Sequence, residues 1–154
     1  MRPTRVVFLA CAVAVALASC SSSGPTEEPA PSLADAGATA RPLVDRFFTL
    51  VEHKDVPGLR RFLSSAFQVQ RADGSASVGE QYLTELPTVD TFRITKLVAT
   101  QAGSVLVVRY LATVTGKVNG KPYTPGPAPR LSVFIWNGSA WKLAAHANFN
   151  PLTG

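Results

Sequence analysis

The sequence predicts an α+β domain, with its helices gathered ahead of a run of strands. Apolar residues recur at steps of three and four near the start of the domain. From residue 88 onward β-branched and aromatic residues dominate instead. Turn pairs such as Asn119-Gly120 and Asn137-Gly138 cut that second half into hairpin-sized pieces. Helices segregated from antiparallel strands pack on one face of a curved sheet.

The first helix is expected over 39–54, where Leu43, Val44, Phe47, Leu50 and Val51 form one stripe. Asp45, Arg46, Glu52 and His53 mostly fall off it. Asp55 can cap a second short helix whose first turn tolerates Pro57, with Leu59, Phe62 and Leu63 as its buried side. Phe67, Val69 and Arg71 alternate with Gln68 and Gln70 as a short strand, and Asp73-Gly74 turns the chain. Ser77-Val78-Gly79-Glu80 fits a capping box, which starts a third helix through Tyr82 and Leu83 that ends before Pro87. Strands follow over 88–100 and 104–118, separated by Ala102-Gly103. Asn119-Gly120 is a hairpin signal. Four prolines between 121 and 130 exclude a central strand there and leave a loop that either caps the mouth of the fold or meets a partner. Strands over 131–136 and 140–149 close the domain around the Asn137-Gly138 turn. Asn137-Gly138-Ser139 also has the form of a glycosylation acceptor and is read here as a turn.

Ahead of the domain, Arg2 and Arg5 precede an unbroken apolar run over 6–18, then Leu17-Ala18-Ser19-Cys20. A span needs roughly 20 apolar residues, so this run suits an export signal better than a membrane helix. The four residues resemble the site at which bacterial lipoprotein precursors are lipidated and cut. That resemblance implies a signal peptide over 1–19, a lipid on Cys20 and an exported, membrane-anchored product. An ordinary secretory signal cut after Ala18 is the alternative. Residues 20–38, rich in Ser, Pro, Ala and Gly, read as a disordered tether reaching about 25 Å, and the domain occupies 39–154. Cys11 lies in the signal, so the domain has no thiol and no disulfide to lean on.

Without Arg2 and Arg5 the chain carries 13 basic and 10 acidic side chains. Beyond Asp90 there is no Asp or Glu, yet seven basic residues follow: Arg93, Lys96, Arg109, Lys117, Lys121, Arg130 and Lys142. A one-sign half can attract anionic surfaces or ligands, or simply solvate strand ends. Nucleic acid does not suit an exported, tethered chain. Two histidines with no paired-ligand spacing offer nothing like a zinc site, and no phosphate loop, nucleophile elbow or dinucleotide fingerprint is present. No cofactor or metal is expected.

The element order, the Val118-Asn119-Gly120-Lys121-Pro122 hairpin and the closing run from Trp141 through His146 and Asn148 to Pro151 resemble the nuclear-transport-factor-2-like superfamily, which includes ketosteroid isomerases and small polyketide cyclases. The resemblance implies a cone: a curved antiparallel sheet wrapped around N-terminal helices, a cystatin-like roll that often forms homodimers. Isomerases of this kind use a carboxylate and a tyrosine with a neutral acid, a set this chain lacks. Its later strands carry no acid, and its first helix offers Phe47 and Phe48 rather than Tyr. Asp90 or Asp45 beside His146 would be the dehydratase-like pairings. On the last strand, alternation puts Trp141, Leu143, Ala145, Ala147 and Phe149 on one face and Lys142, Ala144, His146 and Asn148 on the other; it does not say which lines the cone. No catalytic residue is assigned. Tyr82, Tyr110, His146 and Asn148 are the candidate pocket residues, with a satisfied structural histidine as the plainer alternative for His146. The expected function is non-catalytic: binding a small apolar ligand or a protein partner at the cell envelope. The alternatives are an isomerase, dehydratase or cyclase built on His146, and a structural dimerisation module.

Overall fold

The computed structural model describes residues 28–149. The signal segment and Cys20 lie outside the described residues, as do the first part of the tether and residues 150–154. No helix among the described residues is long and apolar enough to cross a membrane.

Helix α1 (Ala36–Glu52) starts three residues ahead of the expected domain boundary, with the Asp35 carboxylate accepting from the Ala38 N–H at 3.0 Å. The residues just before it lie against the sheet. Gln101 Oε1 accepts from the Leu33 N–H at 2.9 Å, and the Trp136 indole donates to the Glu28 carbonyl at 2.9 Å. The buried face is the expected stripe turned slightly: Val44, Phe47 and Val51 are buried as read, Phe48 and Ala40 join them, and Leu43 and Leu50 are only half-buried at its edge. Helix α2 (Val56–Phe62) is capped by Asp55, whose carboxylate accepts from the Gly58 N–H at 2.8 Å. Its C-cap Leu63 is already extended, so strand β1 (Leu63–Gln70) begins four residues earlier than expected.

The capping box does not form. Ser77 belongs to a short strand, β2 (Ala76–Val78), and helix α3 (Gly79–Thr84) has Val78 as its N-cap with no side-chain hydrogen bond. The reason is competition. Antiparallel pairing of β2 with β1 fixes Ser77 opposite Val69, while Glu80 is taken by Arg60 of α2 in two hydrogen bonds of 2.9 and 2.6 Å.

Strands β3 (Thr88–Ala102), β4 (Val105–Val118), β5 (Lys121–Pro122), β6 (Ala128–Trp136) and β7 (Trp141–Asn148) complete the sheet. The order is β2-β1-β7-β6-β4-β3, with β5 paired to β4. All neighbours are antiparallel except β1 and β7, which run parallel, so the sheet is mixed rather than wholly antiparallel. The architecture is otherwise the expected one: α1 lies across a curved, unclosed sheet. Two register shifts bend β3, one after Val89 and one after Thr95, where Lys96 has φ +49°. Asn119 and Gly120, both at positive φ, close the hairpin between β4 and β5. Contrary to the expectation that the prolines exclude a central strand, β6 begins at Ala128 between β4 and β7; Pro129 lies at the end of the strand, where the ladder with β7 starts only at Arg130.

Gly116 marks the tightest approach in the sheet. Its φ is +140°, and a Cβ there would run into the Thr88 carbonyl of β3. Gly116→Val is expected to lower unfolding stability by about 2–4 kcal/mol, read as a fall in the denaturant midpoint with little change in slope.

Candidate functional site

The inner face of the sheet is built by strict alternation on β4, where Leu106, Val108, Tyr110, Ala112 and Val114 are buried. On β6 the inward set is Ala128, Arg130, Ser132 and Phe134. Strand β7 does not alternate. Trp141 and Leu143 point inward, but so does His146. The pairing with β6 explains this: Leu143 lies opposite Phe134 and Ala145 opposite Val133, so Ala144 is an extra residue without a partner of its own. This β-bulge moves every later side chain to the other face. The sequence alternation holds only up to Leu143. Ala145 and Ala147 turn outward, and His146 joins Trp141 and Leu143 on the inner face.

His146 is 7 % exposed. Its Nδ1 lies 3.1 Å from the Ser132 hydroxyl and 3.5 Å from that of Tyr110, and those two hydroxyls are 3.0 Å apart. The Phe47 and Phe48 rings of α1 pack against the imidazole, with centroids 4.9 and 6.0 Å away. Burial, reinforced by the positive charge of Arg130, pushes the His146 pKa down to about 3. The imidazole is therefore neutral at physiological pH. Tyr110 is pushed upward, chiefly by burial, and stays protonated.

Beside this cluster lies a pocket between α1 and the sheet. Its walls include Phe47, Phe48, Val51, Val89, Val114 and Val118, and its polar groups come from Arg71, Tyr82, Tyr123, Arg130, His146 and Asn148. The pocket encloses about 450 Å³, part of it open to solvent.

Of the candidate residues, Tyr82, His146 and Asn148 line this pocket, whereas Tyr110 lies behind it as the hydrogen-bond partner of Ser132. Neither dehydratase-like pairing exists. Asp45 bonds Arg41 at 2.7 Å on the outside of α1, and Asp90 is exposed. No Asp or Glu lines the pocket. Ser132 beside an imidazole suggests an activated nucleophile, but it is fully buried and does not line the pocket. Among the described residues no three His, Cys, Asp or Glu side chains converge as metal ligands.

Sequence reasoning missed Arg71, Tyr123 and Arg130. Arg130 was within reach, since it stands two residues from Ser132 and four from Phe134 and so shares their face. The neighbouring prolines concealed it. Tyr123 comes from the proline-rich loop and packs against the core at the edge of the pocket, so this loop lies at the mouth of the cone.

Two measurements check this geometry. Deleting Ala144 removes the bulge but keeps Trp141, Leu143 and His146 on the inner face, because Ala145 then follows Leu143 in regular alternation opposite Val133; it is expected to cost no more than about 1 kcal/mol in denaturant unfolding. The His146 prediction concerns pH. The unfolded imidazole titrates near 6.5 and the folded one near 3, so the unfolded state gains protons first as pH falls. The resulting stability is complete above about pH 6.5 and drains away below it. Between pH 7 and 5 the wild type should lose about 2 kcal/mol more than His146→Gln.

No protein-family model matches the chain, and no curated protein matches it in sequence. Solved structures do match. An NTF2-like protein from Cytophaga hutchinsonii superposes with a TM-score of 0.66 at 13 % identity, covering 73 % of this chain and 96 % of that one. An NTF2-like protein of unknown function in nutrient uptake, from Rhodospirillum rubrum, gives 0.61 at 16 % identity over 74 % and 98 % of the two chains. A candidate ketosteroid isomerase from Shewanella frigidimarina gives 0.57 at 14 % identity over 73 % and 96 %. Identities this low speak for architecture alone. With its curved sheet, its helix laid across the concave side and its pocket between the two, this domain has the nuclear-transport-factor-2-like fold.

Proposed function

We propose that the protein is a lipid-anchored binding module of the cell envelope whose cone holds a small, largely apolar ligand without transforming it. The observation that carries this reading is the pocket wall: aromatic and aliphatic side chains around a few polar groups, with no carboxylate among them. Proton-shuttle chemistry needs an acid or base with a pKa near the working pH. His146, held neutral down to about pH 3, is a weak base and no acid at all in that range. Anchoring through Cys20 rests on the Leu17-Ala18-Ser19-Cys20 pattern, and residues 28–35 would join that anchor to the domain.

A homodimer belongs to the same proposal. The outward faces of β1, β6 and β7 border a second hollow lined by Leu131, Val133, Ala145 and Ala147, with the exposed Val78 of β2 at its edge. Apolar groups left outward in this way suit a second copy of the chain.

Native mass spectrometry of the protein purified from its own membrane is the test. The expected result is an acylated Cys20, a dimer, and a small retained ligand that is lost when Val114→Trp fills the pocket. An unmodified Cys20 overturns the anchor. A ligand-free wild type, with turnover of an isomerase or dehydratase substrate that His146→Gln abolishes, overturns the non-catalytic reading.

A further inference from the structure

The pocket holds two guanidinium groups in unlike circumstances. Arg71 is buried and its Nε has no hydrogen-bond partner among the described residues, but its charge is met: Nη2 donates to the Glu85 carbonyl at 3.0 Å and Nη1 lies 3.5 Å from the Glu85 carboxylate. Arg130, on the inner face of β6, is only 2 % exposed. Its Nη1 donates to the Pro129 carbonyl at 3.0 Å, and its Nη2 is a buried donor with no partner among the described residues. No carboxylate of the described residues forms an ion pair with it. The groups close enough to act on its charge are the hydroxyls of Tyr110 and Tyr123, both raised in pKa and protonated. His146 is neutral. Arg130 itself keeps its proton, since burial lowers its pKa only to about 10.

A buried cation without a counterion is costly. An unused donor in an apolar hollow adds to that cost. Both costs fall away when an anion enters. The anion must be small, because the pocket encloses only about 450 Å³, part of it open to solvent. It should be singly charged, because one uncompensated guanidinium faces it and a dianion would bury a surplus charge. It needs an apolar body, because the remaining wall is Phe47, Phe48, Val89 and Val114.

We infer that the ligand is a small organic carboxylate, its carboxylate accepting from Arg130 Nη2 and its hydrocarbon part lying against Phe47, Phe48 and Val114. This rests on the binding role proposed above and gives that role a chemical class. Charge-assisted hydrogen bonds of guanidinium to carboxylate are about twice as strong as neutral ones. Arg130 thereby selects the head group and the cone wall selects the body.

The test titrates the full chain, in detergent, with butyrate and with its neutral isostere butyramide, following the methyl resonances of Val114 and Val89. Wild type is expected to bind butyrate at least about tenfold more tightly than butyramide. Arg130→Met should remove that preference, weakening butyrate by far more than butyramide. Equal affinity for the two probes overturns the carboxylate assignment but leaves the pocket's binding role standing. Tighter binding of inorganic phosphate than of butyrate likewise overturns it. If neither organic probe shifts the valine methyls, both inferences fall together. Should Arg130→Met fail to fold, Arg130→Lys replaces it. Its single ammonium on a shorter reach should weaken butyrate at least about threefold and butyramide by less, and an unchanged butyrate affinity counts against the assignment.

Discussion

One extra residue in the last strand governs the interior of this domain. Strand β7 has to supply Trp141 and Leu143 to the core at one end and His146 to the pocket at the other. In a regular strand these residues fall on opposite faces, and one set would meet water. The bulge at Ala144 reconciles them by shifting parity between Phe134 and Val133 of the neighbouring strand. It costs one irregular step in the ladder. In return a Trp, a Leu and a His all reach the concave side, where Trp141 and Leu143 join the core and the Phe47 and Phe48 rings of α1 cover His146.

The interior that results is polar at isolated points and apolar between them. Ser132, Tyr110 and His146 satisfy one another within 3.5 Å and so occupy the cone without demanding water. Arg71 is matched by Glu85 across the turn that follows α3. Arg130 is the member of this group whose charge has no opposite among the described residues. The one-sign half of the sequence is therefore not solely a surface property. Lys142 reaches the Arg61 carbonyl at the surface, whereas Arg130 carries the same sign into the hollow.

The fold was largely legible in the sequence, because its signals are local. The α1 stripe, the Asp55 cap and the Asn119-Gly120 hairpin each depend on a few neighbouring residues, and the structure contains all three. What could not be read is set by distant partners. The Ser77-Glu80 box is locally sound, yet pairing with β1 and the Arg60 side chain claim its two members. The bulge at Ala144 leaves no trace in a stretch of alanines, since Ala144 and Ala145 carry no preference for either face. The parallel partner of β1 lies more than 70 residues away. The site was legible in part: His146, Asn148 and Tyr82 reach the pocket, but the prolines around Arg130 hid its place in a strand.

The parallel seam between β1 and β7 has a bearing on how the chain comes to be made. β1 is bordered on one side only by the three-residue β2, so its other edge waits for the final strand to be synthesised. Contacts of such long sequence separation form late and slowly. The β3-β4-β6 meander can therefore form from neighbouring stretches of chain, while the β1 edge is sealed only when the tail that carries β7 is complete.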